Sequence, residues 1–320
     1  MKKFFLRLLA GVLIVAALPV GAGAVDMLVP VGRVVGLELR DDTVTVAAFE
    51  ADSPGEAAGL KPGDRLLSID GVSIQSAGDV RKALDQSHGS VQITVARGEN
   101  LKTFRAEPNI TSDGPKLGVY LRQGVTGIGT VTWYDPDTGA FAALGHGVND
   151  ASGNLLQLRR GSIYPARVAS VRKGAAGEPG QLMGSLTDRE PLGTLEKNTL
   201  QGVFGKVTVP FAGEPMPVAQ PEEVKCGPAT ILSTVDDSQP REYKVEIVKI
   251  STSPARSGRN LLLSITDPAL LETTNGIVQG MSGSPIIQNG KLVGAVTHVL
   301  VNDPTRGYGI FIENMLDAAA

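Results

Sequence analysis

The chain has 320 residues, 42% hydrophobic and 20% charged, with a net charge of −3. That length accommodates two ordinary domains, and the scattered charge gives no electrostatic reason for nucleic-acid binding. The single cysteine, Cys226, excludes an intrachain disulfide. Its neighbours Val224, Lys225 and Gly227 offer no base, so it reads as an inert thiol. Abundant glycine and proline against only 4% aromatics imply many turns and short strands.

Lys2, Lys3 and Arg7 precede an apolar run from Leu8 to Val20, and small residues Gly21–Ala24 follow. This is the order of an export signal, with Ala22 and Ala24 matching an A-x-A cleavage site. The apolar run falls short of the roughly 20 residues of a comfortable membrane span. Residues 1–24 are therefore expected to be either a cleaved signal peptide or a retained N-terminal membrane anchor. Both readings place the protein outside the cytoplasm.

Residues 29–107 read as one small α+β domain. Val34–Leu39 and Thr43–Phe49 have strand composition. Ser53-Pro54 offers a helix N-cap and a first-turn proline. The run Gly59-Leu60-Lys61-Pro62-Gly63-Asp64-Arg65-Leu66-Leu67-Ser68-Ile69-Asp70-Gly71 reads as a turn, a buried strand and an Asp-Gly hairpin. Asp79–Leu84 is expected to be helical, Val91–Arg97 a strand, and His88 a surface residue. The Ala58–Gly71 run resembles the most recognisable stretch of PDZ domains, which bind the C-terminus of a peptide as an added strand. The resemblance implies a carboxylate-binding loop at Val35, Gly36, Leu37, Glu38 and Leu39, beside the helix.

Residues 108–116 form a polar linker with Pro and Gly. From 117 to 320, short strand-like runs alternate with turn signals, the pattern of an all-β barrel or sandwich. Within it, Gly280-Met281-Ser282-Gly283-Ser284-Pro285 frames a serine with glycines. Glycines permit the tight backbone that points amides at one spot, as a nucleophilic serine requires. Gly280 and Ser282 are the natural oxyanion donors. His146, flanked by Gly145 and Gly147 at a strand end, reads as the general base. A carboxylate to orient it could come from Asp267, Asp188 or Asp150. There is no H-E-x-x-H run or clustered ligand set, so neither a metal nor a cofactor is assigned.

The order His146, Asp267, Ser282 resembles that of chymotrypsin-like peptidases, although Asp188 fits their usual His-to-Asp spacing better. More specifically, "ALGHGVND", "GTLEKNT", "IVQGMSGSPIIQNGKLVGAVTHV" and "NDPTRGYGIFI" resemble the stage IV sporulation protein B peptidase family. The resemblance implies a mainly β protein, an N-terminal PDZ domain followed by a chymotrypsin-like double β-barrel serine peptidase, with Ser282, His146 and Asp267 as catalytic residues. His298 falls in the same runs, as a pocket residue or a packed strand residue. The implied activity is an exported endopeptidase in the intermembrane space of the forespore. It would cleave the extracytoplasmic part of a membrane-bound regulator of an intramembrane protease, leading to sigma-factor activation, and would cleave itself. Its PDZ domain would hold a peptide in cis or in trans. The competing reading is a non-catalytic PDZ adaptor with a structural barrel.

Overall fold

The computed structural model describes residues 27–150, 153–236, 239–252 and 258–320. The expected signal or anchor at 1–24 lies outside these residues. Among the described residues, no helix is long and apolar enough to cross a membrane.

Two strands organise the chain. The first long strand, Val34–Phe49, and the second, Val119–Tyr134, pair antiparallel from Val34↔Thr130 at one end to Phe49↔Val119 at the other. The pairing slips between Leu39 and Val44, where Gly124 (φ +78) bends the ladder. A side chain at Gly124 would lie 1.9 Å from the Leu39 carbonyl, so only glycine fits.

On the Val34 side of this break the two strands join Ala140–Ala143, Gly202–Val207, Gly193–Thr199 and Arg160–Arg172 in a closed ring. Val35, Leu37, Leu39, Val131, Phe141, Ile163 and Val203 fill it. Strands Gly227–Ser233, Arg241–Ile250, Leu261–Ile265, Asp303–Phe311, Lys291–Leu300 and Pro285–Gln288 close a second barrel. Alternation of inward apolar residues, as in Tyr243, Val245 and Ile247, builds its core. Closure leaves neither ring with a bare edge.

On the Phe49 side, the same two strands enter the PDZ unit, which has a separate core of Val44, Val46, Leu66, Ile69, Val91 and Ile93. Ser53 caps the helix Pro54–Ala57 by accepting the Glu56 amide. The expected helix spans Ala77–Asp85, capped by Ser76, and the expected strand Val91–Arg97 is present. Asp70 and Gly71, both at positive φ, turn Arg65–Ile69 into Val72–Ser73.

The expected boundaries need correction. Residues 34–39 belong to the first barrel, not to the PDZ unit, which is inserted between two barrel strands. Residues 108–116 are not an irregular tether: Asn109–Thr111 and Gly114–Lys116 form a two-stranded hairpin.

Candidate active site

The site lies between the barrels. A cavity of about 580 Å³ is walled on one side by Leu37, Leu144 and His146, and on the other by Ser282, Thr297 and His298.

Strand Ala140–Ala143 ends abruptly. Leu144 (φ 72) and Gly145 (φ 69) are both left-handed, and the Gly145 amide folds back to the Ala143 carbonyl at 2.9 Å. A left-handed leucine is a strained backbone, held here because the Leu144 amide donates to the Thr130 carbonyl at 3.2 Å. This turn swings His146 out of the ring and into the cavity. Asn198 secures the far side: its Oδ1 accepts the Val148 amide, and its Nδ2 donates to the Val148 and Leu156 carbonyls.

His146 Nδ1 lies 2.9 Å from the Gly147 carbonyl oxygen. A carbonyl only accepts, so the neutral ring carries its proton on Nδ1 and leaves Nε2 basic. Burial holds this imidazole below its ordinary value of 6.5, and the Gly147 carbonyl pulls more weakly the other way. The His298 ring stands 5.1 Å away, centroid to centroid. Burial first, then repulsion from His146 and Arg259, push His298 down to about 4.

Ser282 Oγ donates to the Thr297 carbonyl at 2.8 Å rather than to an imidazole. Around it the backbone is pinned. The amides of Met281, Gly283 and Ser284 donate to Val278, Val296 and Met281 at 3.1, 2.7 and 3.0 Å. The amides of Gly280 and Ser282 donate to no acceptor among the described residues. Two free amides flanking one position, among neighbours that are all bonded, is the arrangement an oxyanion requires.

The carboxylates lie elsewhere. Asp267 Oδ1 accepts the Ala269 and Leu270 amides at 3.0 and 3.1 Å, capping the helix Pro268–Thr274, and its Oδ2 accepts the Lys244 amide. Asp188 caps an exposed turn through the Arg189 and Glu190 amides, and Asp150 accepts the Asn154 amide. None of the three reaches the His146 imidazole. The expectation that Asp267 orients the base is corrected: its oxygens are committed to backbone amides, and the Gly147 carbonyl holds Nδ1 instead. Asp267→Asn, which can still cap, is expected to keep kcat within about threefold, whereas a triad Asp→Asn exchange costs about 10⁴-fold. Asp267→Ala should cost about 1 kcal/mol of stability, read by denaturant titration.

The expected carboxylate loop also needs correction. Val35–Leu39 is strand interior, paired on one edge with Gly129–Val125 and on the other with Pro165–Gly161. Its backbone groups are spent within the barrel. Gly36 is small because Leu186 packs over it: a Cβ there would lie 2.3 Å from the leucine methyl. One open edge of the PDZ sheet is Val119–Gln123, which among the described residues pairs only with the first long strand; the other is Asn100–Ala106. Gly118 (φ 66) precedes it.

Sequence reading missed Thr130, Thr297 and Asn198. Asn198 does stand in the run Gly193–Thr199, which carries part of the family resemblance.

The SpoIVB peptidase S55 family model matches residues 113–316 of this chain. The chain belongs to the SpoIVB peptidase S55 family. A PDZ-domain model matches residues 45–97 of this S55 peptidase. Among curated proteins, "Putative zinc metalloprotease Atu1380" of Agrobacterium fabrum is 34% identical over 108 residues, 33% of this chain and 27% of that protein. "Putative zinc metalloprotease mll0638" of Mesorhizobium japonicum is 32% identical over 84 residues, 26% of this chain and 23% of that protein. The chain thus spans about a quarter of the length of these relatives. Among solved structures, the PDZ domain of the SdrC-like protein Lmo2051 from Listeria monocytogenes is 25% identical, with a TM-score of 0.23, covering 25% of this chain and 87% of that one. The Rv3671c protease of M. tuberculosis, in an inactive form, is 13% identical, with a TM-score of 0.35, covering 59% of this chain and 81% of that one.

Proposed function

We propose that this S55 peptidase is an exported serine endopeptidase of sporulation signalling. It acts in the intermembrane space of the forespore, through residues 1–24 as signal or anchor. Its substrate is the extracytoplasmic part of a membrane-bound regulator of an intramembrane protease, and it cleaves itself. Family membership and the quoted sequence runs support this biological setting. The observation that carries the serine chemistry is the pair of unengaged amides, Gly280 and Ser282, beside the Ser282 hydroxyl in a cavity shared with His146.

In this reading Ser282 Oγ leaves the Thr297 carbonyl and attacks the scissile carbonyl carbon while His146 Nε2 takes its proton. The Gly280 and Ser282 amides receive the oxyanion. His146 returns the proton to the leaving amine, and water then hydrolyses the acyl-enzyme by the same two transfers in reverse order. The peptide held by the PDZ unit, in cis or in trans, adds to the open edge Val119–Gln123.

The test is labelling of purified protein with a biotinylated fluorophosphonate, with the adduct located by mass spectrometry. Adduct on Ser282, lost in His146→Ala, supports the reading. A folded chain that stays unlabelled, or a peptidase activity abolished by 1,10-phenanthroline, overturns it. The first of these outcomes would favour an adaptor and the second a metallopeptidase.

The pH profile is a second check. Because burial favours neutral His146, kcat/KM should rise with pH and level off with a midpoint below 6.5. A carboxylate partner would push that midpoint upward, so a value above 6.5 would contradict the geometry.

A further inference from the structure

We infer that Thr130 is a positioning residue for the oxyanion amides, acting through the carbonyls of the same two residues that supply them; the inference rests on the serine-peptidase reading. Thr130 is fully buried on the second long strand. Its hydroxyl donates to the Gly280 carbonyl at 2.8 Å, and its amide donates to the Ser282 carbonyl at 3.1 Å. Its own carbonyl accepts the Leu144 amide, two residues before the base. One residue of the first barrel therefore holds the nucleophile turn of the second barrel at two points and the base turn at a third.

The consequence follows from peptide planarity. Each peptide unit turns as a rigid plate, so fixing a carbonyl fixes one side of the residue that bears it. The other side of each donor residue is fixed as well: the Gln279 carbonyl accepts the Leu182 amide at 2.8 Å, and the Met281 carbonyl accepts the Ser284 amide at 3.0 Å. Thr130 supplies bonds to the plates that follow Gly280 and Ser282. Without its hydroxyl, the Gly280 carbonyl loses that donor, and the plate can rotate to find another. That plate lies between the two that carry the donor amides, so its rotation changes ψ of Gly280 and φ of Met281 and tilts the Gly280 and Ser282 amides relative to each other.

The experiment compares Thr130→Val, which keeps the shape and removes the hydroxyl, with Thr130→Ser, which keeps the hydroxyl. Steady-state kinetics on a fluorogenic peptide are read below the lower melting temperature of the set. Losing one oxyanion donor outright costs about 10²–10³-fold in kcat. Misaiming it in Thr130→Val is expected to lower kcat about 10–100-fold with KM changed less than threefold, and Thr130→Ser to stay within about threefold of wild type. Affinity for a peptidyl boronate, whose tetrahedral adduct occupies the oxyanion position, should fall in parallel with kcat/KM.

Equal losses in the two variants, or a lowered melting temperature in Thr130→Val with kcat unchanged, would overturn the assignment and leave Thr130 a packing residue. If Thr130→Val does not fold, Thr130→Ala is measured against Thr130→Ser by the same criteria. Wild type unlabelled by fluorophosphonate removes the serine-peptidase reading and this role together. A labelled wild type whose Thr130→Val variant keeps its kcat removes this role alone.

Discussion

Replacing Ser282 with alanine is expected to lower kcat for peptide hydrolysis by about a millionfold, the scale seen when a triad serine is lost. The fold should barely register the change. The hydroxyl makes one hydrogen bond, to the Thr297 carbonyl. Such a bond contributes about 1 kcal/mol net, or roughly 2–4 °C in melting temperature for a chain this size. Progress curves with a fluorogenic peptide and a thermal melt on the same preparation give both numbers. The proposed self-cleavage predicts fragments in the intact mass of wild type and none in that of Ser282→Ala. Hydrolysis that survives within tenfold would show that another group is the nucleophile.

The second large effect falls on Gly283. Its φ of 97 lies in the left-handed region, and a Cβ there would sit 2.0 Å from the Thr130 carbonyl oxygen and 2.6 Å from the Leu144 amide nitrogen. Both neighbours are backbone atoms, Thr130 in a strand of the first barrel and Leu144 in the turn bonded to it, so neither can withdraw as a flexible side chain could. Gly283→Ala therefore combines an unfavourable backbone conformation with a main-chain clash. A loss on the order of 3 kcal/mol or more is expected, with activity falling below detection. Urea denaturation followed by tryptophan fluorescence reports the first, since Trp133 is buried close by on the same strand as Thr130. A wild-type midpoint would mean that the turn relaxes in a way this packing does not allow.

The fold class was readable because it rests on local signals. Strand alternation, the Asp70-Gly71 turn and the Ser53-Pro54 cap each act within a few residues, and the structure carries all three. The insertion of the PDZ unit was not readable, because it is defined by pairs such as Leu39 with Val125, remote in sequence. The carboxylate loop at Val35–Leu39 rested on the PDZ resemblance, whereas the strand composition of the same residues is what the structure carries, with Leu186 packed over Gly36.

Asp267 is a different kind of error. Asp-Pro before an apolar run is itself a helix-start signal, with the carboxylate as N-cap and proline in the first turn. That local reading was available, but the family resemblance outweighed it. His146 and Ser282 were legible because glycines frame them. Thr130 and Asn198 were not, since they act through carbonyls and amides that sequence does not bring together.

The long strand pair has a practical consequence. Leu39 and Val125 face each other across the ladder, so the chain leaves the first barrel and returns to it at one point. A bare barrel would need only a tight hairpin turn there. Everything from 40 to 124, the PDZ core included, is a loop-out from that turn. Splicing Leu39 to Val125 through Asn-Gly would leave every ring pairing in place except Arg40 with Arg160. The excised protein would then show what the barrels do without the PDZ unit.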